Sequence, residues 1–167
     1  MPLALQPAHL QIDLSANNGP SDAKVVAVPL PAKTVGVVFG QRTAEWRQRY
    51  NTYLLDANNL VIDPQAVWDS QSSNARFFIS QSVPSNAPDP NVLSIGPFND
   101  DRKIAVYCSH LRDGSSDFQQ SDPKHSFNNF TIGGKNAIAF TMINAEDGGD
   151  SDYHDTVVGV AVLSTTK

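Results

Sequence analysis

Residues 156–163 read TVVGVAVL, apolar at Val157, Val158, Val160, Ala161, Val162 and Leu163. Neither of the alternating faces of such a strand is polar, so both need cover. In an antiparallel fold this places the run in the centre of a sheet or at an interface. Shorter runs of the same character recur upstream: two within KVVAVPLPAKTVGVVF at 24–39, then RFFIS at 76–80, KIAVYCS at 103–109, FTI at 130–132 and AIAFTMI at 137–143. Between them lie SVPSNAPDPN, GPFNDD, RDGSSDFQQSDPK and IGGKN, stretches rich in turn-forming residues. Many short strands punctuated in this way predict an antiparallel sandwich or barrel.

Two segments are less decided. In TAEWRQRYNTYLLDANN, Trp46, Tyr50, Tyr53, Leu54 and Ala57 recur at helical spacing, while YNTYLL alternates like a strand, so both readings stand for 43–57. Residues 1–23, ending in SANNGPSD, are expected to be a loosely ordered extension ahead of a single main domain at 24–167. A chain of 167 residues is long enough for one well-buried core.

Charge narrows the partners. The formal net charge is −5, and no lysine or arginine run is present. A nucleic-acid ligand would need a basic stripe to neutralise phosphates; RTAEWRQRY, with Arg42, Arg47 and Arg49, is better suited to local ion pairing. The single cysteine, Cys108, allows no intrachain disulfide and reads as a small buried hydrophobe. The start, MPLALQPAHLQIDL, has no basic leader and no long apolar run, and nothing approaches a membrane span. The expected location is the cytoplasm, or outside the cell by export without a cleaved signal.

No nucleophile elbow, zinc-protease helix or glycine-rich phosphate loop occurs, and the four histidines are scattered. The chain is therefore expected not to be an enzyme. Chemistry concentrates in EDGGDSDYHD, where Glu146, Asp147, Asp150, Asp152 and Asp155 fall within ten residues, immediately before the apolar final strand. Like charges so crowded need water, basic neighbours or a cation to offset their repulsion. Calcium takes six to eight oxygen ligands on a flexible turn, and Gly148 and Gly149 let the backbone curl. The spacing is not that of an EF-hand, and the lack of thiolates excludes a structural zinc site. A calcium loop and a solvated acidic turn are the two readings the residues allow.

EDGGDSDYHDTVVGVAVL resembles the C-terminal signature of the calcium-mediated bacterial fucose- and mannose-binding lectins, E-D-G-x-D-x-D-Y-N-D followed by a valine-rich strand. Glu146, Asp147, Gly148, Asp150, Asp152, Tyr153 and Asp155 fall on that pattern. More weakly, VPLPAKTVGVVFGQ is similar to the family's first strand pair and DDRKIAVYCSHLRDGSS to its middle hairpin. The resemblance covers most of 24–163, with insertions around 82–98 and 113–130. It implies an all-β fold, an antiparallel β-sandwich of about nine strands with Greek-key-like connections, and a strand for YNTYLL.

By the same resemblance, loop carboxylates hold calcium and vicinal sugar hydroxyls complete its coordination. The implied metal ligands are Glu146, Asp150, Asp152 and Asp155, with Gln41 and His154 at the two asparagine positions. Arg42, Thr43 and Ala44 would tune the sugar, with Asp147, Asp150 and Asp152 facing it. His154 and Gln41 replace asparagines, and the chain ends LSTTK where the family ends in a glycine whose carboxylate serves a neighbouring subunit. These departures fall on the second of the family's two calcium ions, so one well-liganded calcium is expected and a weakened second. The implied partners are a fucose- or mannose-type sugar and further copies of the chain, in a homodimer or higher homo-oligomer. A lectin-fold protein with a purely structural calcium is the alternative.

Overall fold

A computed structural model describes residues 6–82, 89–148 and 155–164. The strands are β1 (Ala8–Ile12), β2 (Ala23–Leu30), β3 (Thr34–Arg42), β4 (Arg47–Leu55), β5 (Val61–Asp69), β6 (Phe78–Ser82), β7 (Leu93–Ile95), β8 (Arg102–Leu111), β9 (Gln119–Gln120), β10 (Asp122–Ile132), β11 (Lys135–Glu146) and β12 (Thr156–Ser164). No α-helix occurs among the described residues. One sheet has the order β1-β2-β8-β4-β5-β6, with β9 pairing β8; the other has the order β10-β11-β12-β3-β7. Every pairing is antiparallel. The expected antiparallel sandwich is what forms, with more strands than the nine or so expected because short β1, β7 and β9 add to it.

Each apolar run supplies a strand. KVVAVPLPAKTVGVVF becomes β2 and β3, and the final run becomes β12, central between β11 and β3. Val158, Val160 and Val162 face the core at 0–3% exposure, while Val157, Ala161 and Leu163 are half-buried on the outer face. The ambiguous segment is strand over 47–55: Gln48, Tyr50, Thr52 and Leu54 share one buried phase. A helix there would have sent Tyr50 and Leu54 to one side and stranded Thr52. In the sheet, Tyr50 instead stacks on Trp68 with centroids 4.9 Å apart and meets Phe77 edge-on at 4.8 Å. Trp68 donates its indole N–H to Thr52 at 3.2 Å. Burying each of these rings is worth about 2–3 kcal/mol, and together they fill the space between the sheets.

The described part of the N-terminal extension is ordered, contrary to the loose tail expected. β1 pairs β2 through five residues, and a 3-10 turn at Ser15–Asn17 follows. The reason is a second apolar cluster on the opposite face of the larger sheet. Val25, Ala27, Tyr53, Leu55, Ala105 and Tyr107 point away from the main core and are covered by Ile12 and Leu14. Strands β2 and β8 and the end of β4 are therefore buried on both sides, which explains the apolar runs of β2 and β8. Leu14, wholly buried, is the keystone of this cover. Leu14→Ala is expected to lower unfolding stability by about 2–4 kcal/mol in a denaturant titration; a change below half a kcal/mol would show the segment to be an appendage.

Candidate metal and ligand site

The hairpin between β11 and β12 carries the acidic segment. Ala145 on β11 pairs with Thr156 on β12, and Glu146 still pairs with Asp122 of β10, so the acidic segment starts at the end of the ladder. Its described carboxylates, Glu146, Asp147 and Asp155, each place an oxygen within 4.8 Å of the others. Two of the three are buried: Glu146 is 6% exposed and Asp147 7%.

Each carboxylate is oriented by a hydrogen bond. The Gly148 N–H donates to Glu146 Oε1 at 2.9 Å, and the Asp147 N–H donates to Asp155 Oδ2 at 2.8 Å. Asp147 Oδ2 accepts from Gln48 Nε2 at 3.2 Å. Gly148 adopts φ +93°, and a Cβ there would stand 3.2 Å from the Arg112 guanidinium, so the turn is one glycine suits. Gln48, with no exposure, uses its other end as well: Thr156 Oγ1 donates to Gln48 Oε1 at 3.1 Å. This amide spans from β4 in one sheet to β12 in the other and fixes the loop to both.

The loop after β3 is pinned to the same place. The N–H groups of Thr43 and Ala44 donate to the Asp155 carbonyl at 3.1 and 3.3 Å. Beneath them Arg42 is 7% exposed, and its guanidinium donates to the carbonyls of Ala44, Glu45 and Ser70. Of the three positions implied to tune a sugar, Thr43 and Ala44 are therefore at the surface, whereas Arg42 is turned inward as the support of their loop. Gln41 lies on the outer face of the sheet, paired with Val157, and donates to the Asn74 carbonyl at 3.5 Å. Asp150, Asp152, His154 and Lys167 lie outside the described residues.

Sequence patterns missed four neighbours of the cluster. Gln48 had one legible signal, a polar residue in the buried phase of WRQRY. Trp46 stacks on His110 with centroids 6.0 Å apart, and the Arg112 guanidinium lies 5.3 Å from the Trp46 ring centroid. His110 is 3% exposed, with Nδ1 2.9 Å from Ser121 Oγ. Burial lowers its proton affinity and outweighs the opposing pull of Asp147 and Glu146. Cys108 is fully buried and its thiol is pushed up to about 12 by burial, which leaves no thiolate for nucleophilic chemistry.

The donor set suits a hard divalent cation. It offers carboxylate oxygens only, without imidazole or thiolate among the described residues of the cluster. The electrostatics also call for one: burial, followed by the fields of Asp147 and Glu146, raises the Asp155 carboxyl from 3.8 to about 7. An acid that holds its proton more tightly when folded stabilises the fold at low pH and loses that contribution as pH rises. Metal-free protein is thus expected to lose stability between about pH 4 and pH 7. Asp155→Asn is expected to remove this slope and to raise the melting temperature of chelator-treated protein at pH 8; an unchanged slope would show that Asp155 is not the group responsible.

No protein-family model matches the chain, and no curated protein matches it by sequence. Solved structures do. A Chromobacterium violaceum lectin in complex with α-methyl-fucoside matches at 17% identity and TM-score 0.50, covering 81% of this chain and 93% of that one. The C-terminal domain of a Burkholderia cenocepacia lectin matches at 17% identity and TM-score 0.50, covering 81% and 92%. A high-affinity mannose-binding lectin of Ralstonia solanacearum matches at 20% identity and TM-score 0.49. The chain has a divergent form of the fold seen in the Chromobacterium and Burkholderia lectins.

Proposed function

We propose that this chain is a calcium-dependent carbohydrate-binding protein, and not an enzyme, with its sugar site at the β11–β12 loop. The observation that carries the reading is the buried carboxylate cluster Glu146, Asp147 and Asp155 on a lectin fold. Calcium, when bound, would neutralise the cluster and offer open coordination positions to vicinal hydroxyls of a neutral sugar. Glu146 and Asp155 hold the ion; Asp147, fixed by Gln48, shapes its coordination; Thr43 and Ala44 present the adjacent loop surface. Asp150 and Asp152 complete the oxygen set, with Gln41 and His154 serving the weaker second ion. Fucose is the first sugar to try, since a structural neighbour was solved with a fucoside.

The inward Arg42 favours a second reading, a calcium that only braces the fold, because one of the three sugar-tuning positions serves as scaffold. The two readings separate cleanly. Isothermal titration with α-methyl-fucoside and α-methyl-mannoside in calcium is expected to show binding that EDTA abolishes and that Asp155→Asn and Glu146→Gln lose. A calcium-induced rise in melting temperature without binding of any neutral glycan on an array would leave the structural role alone. Absence of that rise would remove calcium from both.

The outer face of the smaller sheet suits a second copy of the chain. Phe39 and Phe140 stack there with centroids 6.3 Å apart, over Gly159. A Cβ at Gly159 would meet Phe39 at 2.6 Å, so only glycine leaves the rings room. Met142, Val157 and Leu163 extend the same apolar surface. Light scattering is expected to give a dimer that Phe39→Glu converts to monomer; a monomeric parent protein would refute this arrangement.

A further inference from the structure

Metal-ligating side chains converge at a second place, remote in sequence from the acidic loop. His9 on β1 and His125 on β10 are 116 residues apart, yet His125 Nδ1 lies 3.0 Å from His9 Nε2. The two strands are edges of different sheets. β10 also packs on β2, the partner of β1, so the histidines meet where one side of the sandwich closes.

Nitrogens this close cannot both carry a proton facing the other; one donates and the other accepts. Burial and the field of His9 both lower the proton affinity of His125, which keeps its ring neutral, the form that binds metal. His9 is exposed and His125 half-buried, so an ion arriving from solvent meets no barrier.

The geometry is that of two ligands to one ion. Two nitrogens each about 2.1 Å from a common ion, at tetrahedral or octahedral angles, lie roughly 3.0–3.4 Å apart. The separation in the structure is already in that range. Ring orientation agrees. Imidazoles meeting end to end across a 3.0 Å hydrogen bond would have centroids about 5.3 Å apart, but these stand 4.7 Å apart with planes at 43°. The rings therefore do not meet end to end, and a centroid separation of 4.7 Å is compatible with joint coordination. Capture of an ion needs the proton of this hydrogen bond to pass to the donor ring's other nitrogen, so that both facing nitrogens present lone pairs, together with small ring rotations.

We infer that His9 and His125 form a bidentate site for a borderline divalent transition metal, clamping β1 to β10. Imidazole selects copper, nickel or zinc over calcium, with copper bound most tightly and water filling the remaining positions. The site is independent of the acidic cluster, and the chain would sort ions by hardness: oxygen donors at one place, nitrogen donors at the other. Because the clamp joins the N-terminal strand to the opposite sheet, metal binding stabilises the fold by linkage.

The test uses full-length protein saturated with calcium and titrated with nickel chloride, then zinc chloride. Calorimetry is expected to show one equivalent of nickel bound and thermal denaturation a rise in melting temperature. In NMR spectra, sub-stoichiometric copper is expected to broaden the ring signals of His9 and His125 first. His9→Gln and His125→Gln, which keep a hydrogen-bonding side chain on each strand, are expected to abolish both the nickel heat and the melting shift. Glu146→Gln is expected to leave them in place. Nickel binding that survives both histidine variants, or that disappears with Glu146→Gln, would overturn the assignment. So would the absence of any heat or broadening in folded parent protein.

Discussion

One buried amide holds the functional end of this molecule together. Gln48 donates to Asp147 and accepts from Thr156, so a side chain from the larger sheet completes the hydrogen bonding of both ends of a loop that belongs to the smaller one. Both partners are buried. Removing the amide takes one hydrogen-bond partner from each of these two buried groups, a loss of about 1–3 kcal/mol apiece. The carboxylates can stand together only because such contacts restrict them. The amide and the two backbone N–H donors thus oppose the mutual repulsion of the cluster.

How much of this could be seen in the sequence depends on the range of the interaction. Strand identity is local, and the apolar phases of 24–39, 103–109 and 156–163 announced their strands directly. Segment 43–57 did not, because Trp46, Tyr50 and Tyr53 satisfy helical spacing as well as any strand rule, and only the stack of Tyr50 on Trp68, eighteen positions away, decides it. The N-terminal piece misled for a similar reason. SANNGPSD carries every sign of loose chain, but the apolar surface that recruits Leu14 lies on β2, β4 and β8. Nothing near residue 14 reports that surface.

The site shows the same division. The acidic residues were legible, since crowding of like charge is visible in one dimension. Their positioning was not: Gln48, His110 and Arg112 come from other strands and loops, and they meet the acids only after the two sheets close. Arg42 shows the limit of positional analogy. Its place after Gln41 suggested a role in sugar contact, whereas its guanidinium satisfies two carbonyls of the turn it underlies and that of Ser70 after β5. A basic residue in a chain of net negative charge has been used here as internal scaffolding.

The ladder rung formed by Ala145 and Thr156 has a consequence for engineering. Glu146 beyond it still pairs with Asp122 of β10, and the chain rejoins the ladder at Thr156, on strands whose pairing continues unbroken to Ile138 and Leu163. The length and composition of the segment between Glu146 and Thr156 can change without altering the register of any strand. Loop exchange at this rung is thus a direct way to vary the acidic segment on an unchanged scaffold, provided that the residue at 147 can still accept the amide of Gln48.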